Sequence, residues 1–312
     1  MKEIERAIQY TIEHLEAVDS QPGIAVRVAE LGKDPEATID DYANIVSLSR
    51  SLSVKFIALA NSSSYSPRRP ITSLRQALSM IGCEKVRMLA ISYCLRALYA
   101  AMELDPEDEL AYWQASVCKA VSASMFAAKI DHDVDEAFGI ALLQDIGVIV
   151  LVANERRYRD LMSDASFTLE DQLHIETETF GLSHAEIGSR LAARFRLPDL
   201  FKEMIAVHHE DRQAGGSLGT DALPLIMQTV AWLPHDIRTW KIPDLDRFNS
   251  ELNDCFPGKW IDSEAFLDEA KPEYEDLIAT VSQDGIKPAD LLELIRDAYE
   301  AVSMGGETDE SS

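Results

Sequence analysis

Four side chains in this sequence could do chemistry together if the fold brings them to one place: Asp145, His184, His208 and His209. A carboxylate with several imidazoles can bind a divalent transition metal or move protons near neutral pH. Asp145 follows Gln144 in the middle of AFGIALLQDIGVIVLVA, residues 137–153, an otherwise almost unbroken apolar run. Burying a carboxylate there is costly unless an opposite charge, a proton or a metal compensates. The expectation for Asp145 is a core carboxylate hydrogen-bonded to His208 or Ser116. His184, just inside the helix start GLSHAEIGSRLA, is expected to line the same cavity. His208 and His209 are neighbours in AVHHED. Adjacent helical residues project about 100° apart, so at most one of the pair is expected to point straight at the centre, the other lying at the surface or behind it.

The elements that must position these residues are helices. Apolar residues recur at three- and four-residue spacing along most of the chain, and alternating β-branched runs are missing. The spacing predicts an all-α fold with helices near 3–18, 24–32, 39–48, 52–61, 73–80, 84–102, 107–130, 134–153, 168–180, 184–195, 199–209 and 222–234. Helix ends carry chemical punctuation: Ser183 with Glu186 forms a capping box, Asp105–Pro106 starts a long helix, and Pro198 opens another. NSSSYSPRRP, residues 61–70, and QAGGSLGT, residues 213–220, read as loops.

With 312 residues and 46% apolar content, the chain can bury a substantial core. Its net charge of −25 argues against direct nucleic-acid binding, which needs a basic footprint. MKEIERAIQYTIEHLEAV mixes charge with helical apolar spacing and lacks the h-region of an export signal. The apolar 137–153 run is short for a membrane span and interrupted by Gln144 and Asp145, so a core helix in a cytoplasmic protein is expected. Cys83, Cys94, Cys118 and Cys255 form no CxxC pair and are expected to be reduced, without a disulfide or zinc. Residues 236–312 carry 20 acidic and 7 basic side chains, a net of −13 against −12 for everything before them. EAFLDEA and LLELIRDAYEAV keep helical amphipathicity there, giving an acidic helical extension that could engage a basic partner, with a disordered tail from about residue 305.

A family resemblance follows from several blocks in order. FIALANSSSYSPRRPITSLRQALSMIG, residues 56–82, resembles the N-terminal signature of HDOD proteins. YWQAS (112–116), AFGIALLQDIG (137–147), ETFGLSHAEIGSRLAARFRLP (178–198) and AVHHED (206–211) resemble the blocks that these proteins share with the HD phosphohydrolase superfamily. The resemblance covers about residues 15–235. It implies an HD-like helical bundle with an N-terminal helical subdomain, divided here as residues 1–105 and 106–235, with 236–312 as the extension.

The resemblance also says where active HD enzymes hold metal ligands. A histidine is expected at Ala115, shortly after Trp113, and a His-Asp doublet at Gln144–Asp145. A late aspartate is expected near Trp232, where this chain has no carboxylate. Alanine cannot ligate, and a glutamine amide is a weak substitute for imidazole toward iron, manganese or zinc. The vestigial pocket then comprises Ala115, Ser116, Gln144, Asp145, His184, His208 and His209. The implied function is a non-catalytic bacterial signalling protein that binds protein partners or a nucleotide second messenger, needs no cofactor and touches neither nucleic acid nor membrane. Oligomeric state stays open. Arg68 and Arg69 could grip a phosphate or carboxylate of a partner, while Asn61 is expected to close a helix end. The alternative is a metal-dependent phosphohydrolase of a nucleotide or cyclic dinucleotide, with Asp145, His184, His208 and His209 holding iron, manganese or zinc. HHED is similar to the His-His-Glu run of HD-GYP phosphodiesterases, but GGSLG lacks their Gly-Tyr-Pro.

Overall fold

The computed structural model describes residues 22–305 apart from 33, 163, 165–166, 211–221, 257–260 and 283–285, together with residues 6, 9 and 10. The helix expected at 3–18, the loop at 213–220 and the tail from about 305 fall largely or wholly outside the described residues. All regular structure among those described is helical. In chain order the helices are α1 (Pro22–Leu31), α2 (Ile39–Val46), α3 (Arg50–Ala60), α4 (Leu74–Ile81), α5 (Cys83–Ala101), α6 (Pro106–Lys129), α7 (Val134–Leu143) and α8 (Ile146–Asn154). They continue as α9 (Arg156–Met162), α10 (Leu169–Phe180), α11 (His184–Arg194), α12 (Asp199–Val207), α13 (Ala222–Val230), α14 (Ile242–Cys255), α15 (Ser263–Ser282) and α16 (Leu291–Gly305).

The axis of the fold is α6. Asp105 caps it by accepting from the Glu107 N–H, and Pro106 occupies its first turn. Every residue from Ala111 to Ser124 is buried, the pattern of a helix enclosed on all sides rather than amphipathic. Helices α5, α7, α13 and α15 pack around it, α1, α2 and α4 build onto α5, and α3 packs on α4. One continuous apolar core runs from Ile24 to Ile295 and includes Phe248, Phe266, Tyr274 and Ile278 of the acidic C-terminal helices. Gln114 on α6 ties those helices in, because its Oε1 accepts from Tyr274 Oη at 2.7 Å and from the Ala289 N–H at 2.8 Å.

The apolar run departs from the single helix expected at 134–153. It is two helices, α7 and α8, broken at Gln144–Asp145, where Asp145 adopts φ −98° and ψ 16°. The stretch 134–154 is apolar enough to cross a membrane, with mean hydropathy 1.9, yet 83% of its most apolar window is buried inside the fold. The four cysteines are free thiols, and Cys94, Cys118 and Cys255 lie in the interior.

Candidate functional site

The break between α7 and α8 aims Asp145 into the interior. Its side chain caps no helical N–H and instead meets the ammonium of Lys119, Nζ to Oδ2 at 2.6 Å. Lys119 sits on α6, one turn after Ala115, so the two share a helix face, and it is completely buried. An ammonium has three protons, and all three find acceptors here: Asp145 Oδ2, the Ala231 carbonyl at 3.3 Å and His235 Nδ1 at 3.2 Å. Burial alone would raise the Asp145 carboxyl, but the Lys119 ammonium beside it holds it well below the usual carboxylate range. Burial, reinforced by Lys119, pushes His235 down to about 3, so this ring is neutral.

The histidines converge on the other carboxylate oxygen. His208 Nε2 lies 3.3 Å and His184 Nε2 3.8 Å from Asp145 Oδ1. His209 Nε2 lies 2.9 Å from His184 Nε2. His208 is thus the member of the pair that faces Asp145, while His209 meets the centre through His184. Helix α12 ends at Val207, two residues earlier than the spacing suggested, and His208 is its C-cap, still in the helical region at φ −66° and ψ −11°.

Two close backbone approaches set this geometry. A Cβ on Gly147 would stand 2.0 Å from the His184 carbonyl oxygen, and one on Gly188 would stand 2.9 Å from Ile205 Cγ2. Glycine at 147 lets the start of α8 rest on the start of α11, which brings Asp145 beside His184. Ser183 begins α11 with the expected capping box, accepting from the Glu186 N–H.

Behind His184 lies a second buried carboxylate. Glu176 Oε2 accepts from the His184 N–H at 2.6 Å and lies 2.8 Å from His184 Nδ1. Its Oε1 accepts from Tyr158 Oη and, at 2.9 Å, from Gln172 Nε2. Burial opposes its ionisation, but His184 and Tyr158 outweigh that and lower the Glu176 carboxyl. His208 is oriented similarly, its Nδ1 donating to the Ile205 carbonyl at 2.6 Å. Burial pushes His208 and His209 below their ordinary values.

The remaining pocket positions behave differently. Ser116 does not reach Asp145; its hydroxyl hydrogen-bonds Tyr99 Oη at 2.8 Å and donates to the Tyr112 carbonyl. Ala115 is buried and apolar, and the buried Gln144 amide has no hydrogen-bond partner among the described residues. Trp232 Nε1 donates to Glu251 Oε1 at 3.1 Å, and the Arg247 guanidinium lies 5.5 Å from its ring. These residues, with His208, His209 and Gln228, line a cleft beside the centre. Asn61 is spent on loop closure: its Nδ2 donates to the Ile57 and Ile71 carbonyls and its Oδ1 accepts from the Ile71 N–H, each at 2.8 Å. Arg68 and Arg69 are exposed on that loop.

Sequence reasoning missed Lys119, His235 and Glu176. A signal existed for the first, since Lys119 is the only charged residue between Glu109 and Lys129, a lone cation in one apolar helix to match the lone anion in another. Asp145, His184, His208 and His209 present ligand atoms that all lie within 4.8 Å of one another. Three imidazoles and a carboxylate suit one divalent transition metal, and these four could hold it. The chain offers nothing equivalent at Ala115, Gln144 or Trp232 for a second.

Comparison with known proteins agrees with this architecture. An HDOD domain protein with unknown function from Geobacter sulfurreducens is 23% identical, with 96% of each chain covered and a TM-score of 0.53. A candidate phosphohydrolase from Shewanella amazonensis SB2B is 17% identical over 88% of this chain and 97% of its own, with a TM-score of 0.57. A candidate signal transduction protein from Marinobacter aquaeolei VT8 is 19% identical over 92% of this chain and 58% of its own, with a TM-score of 0.52. At such identities these likenesses speak for the fold alone. Among curated proteins no relative matches. The sequence profile of the HDOD domain matches residues 18–211, well over half of the chain. The blocks from FIALANSSS to AVHHED, the helical bundle and this match lead to one conclusion: the chain belongs to the HDOD domain family.

Proposed function

We propose that this chain is a non-catalytic regulatory protein of bacterial signal transduction, an HDOD scaffold that acts in the cytoplasm by binding protein partners or a nucleotide second messenger. The observation that carries this reading is the Lys119–Asp145 ion pair at 2.6 Å, buried at the centre of the HD-like helices. Metal-assisted phosphoester hydrolysis needs cations to activate water and clamp the phosphate. Here the central carboxylate is already neutralised by a side chain with its three donors satisfied. Ala115, Gln144 and Trp232 supply no carboxylate or imidazole, which supports the same reading. The exposed Arg68–Arg69 loop offers cationic groups to a phosphate or carboxylate, whereas in the cleft beside Trp232 the Arg247 guanidinium is paired with Glu251 at 3.0 Å. That the same fold occurs in a protein described as a candidate for signal transduction is in keeping with this role.

A second reading, a metal-dependent phosphohydrolase of a nucleotide or cyclic dinucleotide, is favoured by the four ligand atoms within 4.8 Å. One experiment divides the two. Full-length protein purified without chelators is supplied with iron, manganese or zinc and assayed for hydrolysis of cyclic dinucleotides and of a generic phosphodiester. No turnover from folded, metal-supplied protein upholds the regulatory reading. Turnover that disappears in Asp145→Ala establishes the hydrolase.

A further inference from the structure

The two oxygens of Asp145 face unlike surroundings. Oδ2 meets the Lys119 ammonium, whose other protons go to Ala231 and His235. Oδ1 faces His208 Nε2 at 3.3 Å and His184 Nε2 at 3.8 Å. His208 donates its Nδ1 proton to the Ile205 carbonyl, and Glu176 receives the Nδ1 proton of His184. Both rings, when neutral, therefore turn an Nε2 lone pair toward an oxygen that is also a lone-pair donor. Among the described residues no hydrogen-bond donor satisfies Asp145 Oδ1 or His208 Nε2, although both are buried. Imidazoles oriented from behind by a carboxylate and a carbonyl, with lone pairs converging in front, are arranged as metal ligands are.

We propose that Lys119 is a built-in cation on Asp145 Oδ2, and that it leaves one divalent transition-metal site, at Asp145 Oδ1, His184, His208 and His209, whose affinity the ammonium suppresses. Lys119 comes from the same face of α6 as Ala115, so the helix that lacks a ligating side chain at 115 delivers a positive charge one turn later. The ammonium cancels the only anionic ligand of the set and repels an arriving dication across the carboxylate. At the effective dielectric of protein sites, that combination weakens binding by at least about 100-fold. This inference goes beyond the regulatory reading and is decided separately from it: hydrolysis would overturn that reading without touching the ratio of affinities.

The test is calorimetric titration of the metal-stripped full chain with Zn2+ and with Mn2+, with elemental analysis of bound ion, in the wild type and Lys119→Met. The expected result is one ion per chain in Lys119→Met, bound at least about 100-fold more tightly than in the wild type, and a melting temperature that zinc raises only in the variant. The Lys119→Met/Asp145→Asn double variant should lose that gain. Lys119→Gln, whose amide can still donate to Asp145 and Ala231, repeats the measurement if the methionine variant does not fold. Equal affinities in variant and wild type, two ions per chain, or no binding to a folded variant would each overturn the proposal.

Discussion

Replacing Gly147 with alanine tests whether the approach of α8 to α11 builds the centre. The added Cβ would lie 2.0 Å from the His184 carbonyl oxygen, 2.8 Å from its carbon and 2.9 Å from the Gly188 nitrogen. All three are backbone atoms, so no side chain can rotate away. A relaxed carbon–oxygen contact is about 3.3 Å, so the two helices must separate by about 1.3 Å at the point where Asp145 meets His184. Overpacking of this kind costs roughly 1–3 kcal/mol and sometimes more, against which alanine returns about 1 kcal/mol of helix propensity. With rigid backbone on the other side the cost sits at the top of that range, about 3 kcal/mol, and the net loss is about 2 kcal/mol. Two sibling glycines calibrate the result. At Gly188 the obstacle is the movable Ile205 Cγ2 at 2.9 Å, and at Gly139 the nearest atom is Phe201 Cζ at 3.4 Å. Urea unfolding of the three alanine variants at constant m-value should rank them Gly147 worst, Gly188 intermediate and Gly139 near neutral. A Gly147→Ala midpoint equal to that of Gly139→Ala would refute the close-approach argument.

Three further outcomes follow from the buried polar groups. Asp145→Asn leaves the Lys119 ammonium buried and unpaired and should cost about 3–5 kcal/mol in urea unfolding, most of it regained in Lys119→Met/Asp145→Asn; a loss under about 1 kcal/mol would show that the pair is solvated. His235 is held at about 3 when folded and titrates near 6.5 when unfolded, so its contribution is full above about 6.5 and is lost as pH falls toward about 3, by up to about 1.4 kcal/mol per pH unit. His235→Gln should flatten the stability profile between about pH 6 and 4 by one proton's worth, and an unchanged slope would contradict a neutral buried ring. Gln114→Ala strands the Tyr274 hydroxyl and the Ala289 N–H and should lower stability by about 1–3 kcal/mol, with amide exchange quickening first in α15 and α16.

The helices were legible where burial is one-sided or complete over a long stretch. The 107–130 expectation matches α6 within one residue at each end, because Asp105–Pro106 fixes the start and apolar residues sustain the pattern. Periodicity failed where local dihedrals decide. The break at Asp145 leaves no trace in hydrophobicity, since α7 and α8 are both apolar, and α9 is only 7 residues long, with Tyr158 and Met162 its buried apolar residues. Asp145, His184, His208 and His209 could be nominated because a charge in an apolar run and a His-His pair are visible in one dimension. Lys119, His235 and Glu176 were not, because they complete the centre from positions 26, 90 and 31 residues away from Asp145 in sequence, and no spacing rule connects them. The Asn61 amide illustrates the converse, a conspicuous residue whose bonds to Ile57 and Ile71 make it part of the loop's own frame.

On the regulatory reading, the segments meeting at Asp145 explain how a centre can persist without turnover. Lys119 comes from α6, His184 from the start of α11, His208 and His209 from just past α12, and His235 from beyond α13. In an apolar interior a packing that slid one of these helices by a turn would strand a charge or a ring nitrogen, at a cost well above that of losing a surface contact. On this hypothesis the ion pair fixes register more than it adds net stability, and a lysine serves that end as well as a metal does. Groups consumed in this way cannot also meet a partner. On the regulatory reading, recognition then falls to the Arg68–Arg69 loop and to the cleft by Trp232 and Arg247. His209 belongs to both worlds, 2.9 Å from His184 on one side and lining that cleft on the other. A ligand in the cleft that moved His209 would alter the lone-pair balance around Asp145, and with it the packing of α11 against α8.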